Sequence, residues 1–146
     1  MASIVSLRQR RVFVDSSAYL ALLDQHDRNY RQAQAIVEAL ADARYRQFIT
    51  NTLLIEAHAL ILTELGISVA AQFLRDMDRS RTVVVRVRAA DETRAKLLIY
   101  QYDDKPFSFT DAISFVVMER LGIHIAFTFD RHFGQYGFTA ATPDIK

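Results

Sequence analysis

The sequence predicts an α/β domain built on a mainly parallel, doubly wound sheet. Two observations carry that reading. Short apolar runs rich in β-branched and aromatic residues alternate with helical stretches along the whole chain, and the 146 residues include only four glycines and two prolines, too few for the many tight turns of an all-β fold. The length suits one domain, here 1–146, with a real core: 51% of the residues are hydrophobic and 24% charged. No linker or internal repeat divides it.

The first element is Arg11-Val-Phe-Val-Asp15, an apolar run that stops at a carboxylate and Ser16-Ser17-Ala18, the pattern of a buried strand feeding a helix. Helices are predicted over Ser17 to Leu23 and Tyr30 to Ala43. In the second, Ala33, Ile36, Val37 and Leu40 recur at spacings of three and four. Phe48-Ile49-Thr50 reads as a second strand. From Thr52 to Leu65 nearly every position is apolar, which predicts a helix buried on most sides, with Thr52, Glu56 and Thr63 within about 40° of one another as one polar stripe. Gly66 ends it. A further helix is expected over Val69 to Met77, a clear strand over Thr82 to Val87, and a polar helix from Asp91 to Tyr102. After the turn Asp103-Asp104-Lys105-Pro106, Ser108 to Asp111 supply helix-starting residues for an apolar segment closed by Gly122. Ile123 to Phe129 then alternates into a strand ending at Asp130, and Phe138 to Ala141 reads as an edge strand.

In open α/β sheets ligands bind beyond the carboxyl ends of the strands. Asp15 ends the first strand, Glu56 lies just past the second, Asp111 opens the last apolar helix and Asp130 ends the strand after it. Four carboxylates crowded on one rim repel one another, and a divalent cation resolves that conflict. Oxygen donors with no His or Cys among them favour magnesium or manganese, ions suited to hydrolysis of a phosphodiester. Taken singly, Asp15 and Asp111 also suit helix caps, and Glu56 suits an arginine partner.

The four segments resemble the PIN-domain ribonucleases, above all the VapC-like toxins of toxin–antitoxin pairs. Val12-Phe-Val-Asp15-Ser-Ser-Ala resembles the family's first motif, Thr50-Asn51-Thr-Leu-Leu-Ile-Glu56-Ala its second, Phe107-Ser-Phe-Thr-Asp111-Ala-Ile-Ser114-Phe its third, and Ala126-Phe-Thr-Phe-Asp130-Arg-His-Phe133 its fourth. The resemblance runs from Val12 to Phe138. It implies a three-layer α/β/α fold and a magnesium- or manganese-dependent endoribonuclease with Asp15, Glu56, Asp111 and Asp130 as catalytic and metal-binding acids. Asn51 and Thr128 match polar positions that accompany them. It also implies an RNA substrate, a cognate antitoxin protein and a homodimer, with exposed apolar positions of the early helices as contacts. A housekeeping nuclease and a catalytically silent RNA-binding or scaffold domain are the alternatives.

Other features bound the function. The absence of cysteine excludes disulfides, thiolate metal sites and a cysteine nucleophile. A formal charge of +1 leaves no general polycation, so contact with RNA must be local. Fifteen of the eighteen basic residues are arginine, whose planar fork matches phosphate; Arg8, Arg10, Arg11, Arg28, Arg31, Arg44 and Arg46 are the positions open to guiding RNA, with surface solvation the alternative for any one of them. Arg86 and Arg88 read as an outward strand face. His58 lies about 200° around its helix from Glu56 and reads as packed or exposed, and His132 as structural despite its closeness to Asp130. Ser16, Ser17 and Ser114 read as hydrogen-bonding or capping residues, and Phe107, Phe109, Phe115, Phe127 and Phe129 as core. With no signal-peptide core and no apolar run of about 18 residues, the expected location is the cytoplasm, away from any membrane. Two rivals fit less well: an aspartyl-phosphate enzyme wants an acid where Ser17 stands, and a dinucleotide fold wants glycines before Gly66.

Overall fold

The computed structural model describes residues 10–146, so Arg8 lies outside the described residues. Strand β1 (Arg11–Val14) leads into helices α1 (Ser16–Leu23) and α2 (Tyr30–Asp42), β2 (Arg46–Thr50) into α3 (Asn51–Leu65) and α4 (Ile67–Arg79), and β3 (Val83–Val85) into α5 (Ala89–Gln101) and α6 (Phe109–Leu121). Strand β4 (Ile125–Phe127), helix α7 (Arg131–Tyr136) and β5 (Thr139–Ala140) complete the chain.

All five strands are parallel, in the order β3-β2-β1-β4-β5. Right-handed crossovers then place α1 to α4 on one face and α5 to α7 on the other, giving the expected three layers. Helix packing agrees: α1 meets α2 and α3, α3 meets α4, and α5 meets α6. No helix among the described residues is long and apolar enough to cross a membrane.

The central strand explains the core. Val12, Phe13 and Val14 are all buried because helices cover both faces of a parallel sheet, so an unbroken apolar run is what such a strand requires. The two outer strands are shorter than the sequence suggests. Thr82 to Val87 forms a ladder only over Val83–Val85, half-buried at the sheet edge; Arg86 and Arg88 lie beyond it in an exposed connection, not on an outward strand face. Ile123 to Phe129 contributes only Ile125–Phe127 to the sheet. Ile123 is instead consumed by the end of α6, where Gly122 takes φ 68° and the Ile123 amide donates to Met118 O at 2.9 Å. That left-handed closure favours glycine.

Helix α3 overturns one expectation. Only Leu53, Ala57 and Ile61 are buried, while Ile55 is 70% exposed and Leu62 is exposed as well. An outer-layer helix has a single strip facing the sheet and its neighbours, so Ile55 and Leu62 stay uncovered by the described residues, while Leu54 and Leu65 pack partly buried against the core. Phe109 is likewise exposed, because it opens α6 at the surface; the other four phenylalanines pack in or against the core. Ser114 is fully buried, and its hydroxyl has no hydrogen-bond partner among the described residues, where a bonding or capping role was expected.

One polar contact between α5 and α6 was not legible beforehand. Asp91, 2% exposed, receives two bonds from the Arg120 guanidinium, at 3.0 and 2.8 Å, and a third from the Arg88 amide at 2.9 Å. Burial alone raises a carboxyl pKa, yet these bonds outweigh it and hold Asp91 below its usual value. Such a pair contributes stability above the unfolded-state pKa and loses it as pH falls through the lower folded value. Asp91→Asn should cost about 2–4 kcal/mol in urea unfolding at pH 7 by leaving Arg120 uncompensated; a change under about 0.5 kcal/mol would show that the pair is dispensable.

Candidate metal centre

With every strand running the same way, the carboxyl ends of β1 and β4 lie side by side in the middle of the sheet. The Asp15 amide donates to Phe127 O at 3.0 Å and fastens the two ends together. Asp15 is 5% exposed, and one of its oxygens, Oδ2, accepts from Ser17 Oγ at 2.7 Å and from Thr128 Oγ1 at 2.9 Å. Each hydroxyl then accepts a backbone amide from the loop after β4, Ser17 from Phe129 and Thr128 from Asp130, both at 2.9 Å. Asp15 makes no side-chain cap to α1, so its carboxylate is held for another purpose than starting that helix.

Asp111 and Asp130 do cap helices, and they meet as a result. The Asp111 carboxylate accepts the Ser108 amide at 3.1 Å while Ser108 Oγ accepts the Asp111 amide at 3.0 Å, a reciprocal pair that starts α6. Asp130 starts α7 by accepting the His132 amide at 2.9 Å. That cap turns the His132 side chain back toward the rim, where Nδ1 lies 2.9 Å from Asp111 Oδ2 and 3.3 Å from Asp130 Oδ1. The Phe107 ring meets the imidazole edge to face at 5.6 Å. Behind it, Phe115 and Tyr136 stack at 4.6 Å and anchor α7 on α6.

The ligand atoms of Asp111, Asp130 and His132 all lie within 4.8 Å of one another. An imidazole nitrogen thus stands among the carboxylates beside the oxygen donors expected from sequence, and its contacts with Asp111 and Asp130 also fit the structural role expected of His132. The sign was the position of His132, two residues after a strand-ending aspartate at a helix start, but sequence could not fix which way the ring turns.

Glu56 projects from α3 toward the same group. Burial pushes its carboxyl up to about 7, and the charges of Asp15, Asp111 and Asp130 add to the rise. It has no ion pair among the described residues, so the arginine partner that a structural role demands is missing. Asp15 is also raised, first by burial and then, against its hydroxyl bonds, by Asp130. All four acids thus share one field. Thr128 belongs to the cluster, whereas the Asn51 side chain accepts the Val87 amide at 2.9 Å and ties α3 to the segment after β3. Asp103 and Asp104 are exposed in their turn, outside the group. Arg10, Arg11, Arg44 and Arg46 cluster at the amino ends of β1 and β2, the opposite edge of the sheet from the acids.

Known proteins share this architecture. The PIN domain family matches residues 12–139. The 23S rRNA-specific endonuclease VapC20 of Mycobacterium tuberculosis, in each of two strains, is 31% identical over 138 residues, spanning 91% of this chain and 99% of its own length. The crystal structure of M. tuberculosis VapC20, described as a sarcin–ricin loop cleaving toxin, superposes with a TM-score of 0.82 at 28% identity, over 90% of this chain and 99% of the other.

The raised Glu56 carboxyl has a measurable sign. A folded pKa above the unfolded 4.5 means that the neutral form is favoured in the fold, so Glu56 contributes stability below about pH 4.5 that is lost as pH rises through about 7. In chelator, the wild-type melting temperature should therefore fall more between pH 5 and pH 8 than that of Glu56→Gln; parallel profiles would show that Glu56 does not feel the other acids.

Proposed function

This chain belongs to the PIN-domain family, and from that premise we propose that it is a metal-dependent endoribonuclease hydrolysing RNA phosphodiester bonds, with Asp15, Glu56, Asp111 and Asp130 as its acidic site. The observation that supports this most is the convergence of four carboxylates from separate elements, with Glu56 lacking a cationic partner among the described residues and driven up to about 7. A fold has no structural use for such mutual repulsion.

Asp111, Asp130 and His132 fit a cation, since their ligand atoms already stand together, and Asp15 and Glu56 complete the negative charge around it. Carboxylates favour magnesium or manganese, and the imidazole tips the choice toward manganese. A bound ion of this kind supplies a more acidic water and neutralises charge on a phosphodiester oxygen. The chain's own groups do the rest. Ser17 and Thr128 fix the orientation of Asp15, Ser108 fixes Asp111, and Glu56 has the proton affinity to take up a proton at its carboxylate near neutral pH.

The relative's named target makes 23S rRNA the first substrate to offer. A toxin role with a cognate antitoxin follows from the same likeness. The uncovered apolar strip of α3, Ile55 and Leu62, together with Ile67 and Leu74 of α4, is the surface we assign to protein partners, an antitoxin or a second copy.

Ribosomal RNA incubated with purified protein should be cut at discrete sites with manganese or magnesium and not with chelator. Asp15→Asn and Asp111→Asn should each slow cleavage by at least about 100-fold, and Asp15→Asn should leave the chelator melting temperature unchanged or raised, because it relieves like-charge repulsion. Cleavage that persists in chelator, or in both variants, would rule the acidic site out as the nuclease centre.

A further inference from the structure

A cleft of about 410 Å³ opens beside the acids, and its walls differ in chemistry. Asp15 and Asp130 form one side, Leu20, Leu60 and Phe129 an apolar side, and the connection between α1 and α2 contributes Asp27, Arg28 and Asn29. Leu60 follows Glu56 by one turn of α3, so the apolar wall continues directly from the acidic site.

Arg28 is the only cation among the described residues of that lining. Of the arginines that the sequence offers for RNA, four sit at the opposite edge of the sheet, and Arg28 alone among the described ones lines the cleft. Its guanidinium has no hydrogen bond or ion pair among the described residues. The loop that carries it is nevertheless rigid: Asp24 Oδ1 accepts the His26 amide at 3.0 Å, Asp27 Oδ1 accepts the Asn29 amide at 2.8 Å, and the Asp27 and Tyr30 amides donate to Asp24 O and Asp27 O at 2.9 and 3.0 Å. The aspartate nearest in sequence, Asp27, is thus already engaged by its own loop.

Resting on the nuclease reading above, we propose that this cleft is a subsite for one nucleotide flanking the scissile bond, in which Arg28 holds that nucleotide's phosphate and Leu20, Leu60 and Phe129 take its sugar and base. The charge balance requires such a contact. RNA approaching a rim of four carboxylates is repelled, and an exposed guanidinium in the cleft lining, without a partner among the described residues, supplies attraction where the chain has no general positive charge. The apolar wall accepts a sugar–base unit of any sequence, because every base offers a flat apolar face.

The test uses a fluorescein-labelled RNA hairpin with the sarcin–ricin loop sequence, bound to the full chain carrying Asp111→Asn so that the RNA stays intact, with cleavage of the same hairpin measured in the wild-type background. Adding Arg28→Ala should weaken binding about 10-fold and lower the slope of log affinity against log salt by about 0.7, one phosphate contact on single-stranded RNA. Arg28→Lys should recover most of the salt slope, Arg81→Ala at the far edge should change affinity less than about 2-fold, and manganese-induced thermal stabilisation, measured with each substitution alone in the wild-type background, should stay at its wild-type value in all three. Arg28→Ala binding as tightly as its parent, or Arg81→Ala weakening it equally, would overturn the subsite. Cutting that is normal in Arg28→Ala leaves the nuclease standing and removes the subsite; Arg28-dependent binding without any cutting by the wild type removes the nuclease and keeps the subsite.

Discussion

Asp15 Oδ2 is the point on which the arrangement turns. A buried carboxylate at the end of the central strand is unfavourable unless its oxygen is hydrogen-bonded, and two hydroxyls satisfy it, one from the first turn of α1 and one from the loop after β4. Those hydroxyls are themselves held by backbone amides of Phe129 and Asp130, so satisfying Asp15 also sets the course of the chain after β4. That course delivers Asp130 to the start of α7. The cap it makes there then turns His132 toward Asp111. One desolvated oxygen thus ties together segments 113 residues apart in the chain and, through them, the start of α6.

The same group of residues does two jobs that the sequence presents as rivals. Asp111 and Asp130 are caps and are also members of the cluster; the helix starts fix their backbones, and the free capacity of their carboxylates faces the rim. Capping supplies the rigidity that a cation site needs, since a ligand whose backbone is already pinned loses little freedom on binding. Glu56 differs because it sits inside a helix with no capping function. Its upward-shifted carboxyl is the clearest mark that the rim is crowded with negative charge.

How much of this was legible beforehand follows from what each signal encodes. The strand-then-acid pattern at Asp15 and Asp130 was readable because local apolar runs and the residue that ends them are properties of adjacent positions. The mainly parallel sense of the strands followed from alternation with helices, whereas their order across the sheet is set by crossovers that no local pattern marks. The Asp91–Arg120 pair was not, because nothing in either helix marks a partner 29 residues away. The contacts of His132 were not legible because its ring direction depends on a cap and on an aromatic neighbour, Phe107, from the segment before α6. Helix α3 was misjudged because apolar periodicity reports that a face avoids water without reporting what covers it. For Asn51 the motif position was clear, and the backbone amide it binds was not.

The sheet's edges have a consequence for how copies of this protein can meet. Strand β3 has three residues and β5 two, so each border presents only a few free backbone groups to solvent. An incoming strand finds too little ladder to extend, and the sheet cannot grow by adding chains side by side. The surfaces left for assembly are side chains on helices, such as Ile55 and Leu62 of α3. A chain with so much apolar surface on α3 can therefore stay available for a partner without offering a template for fibres.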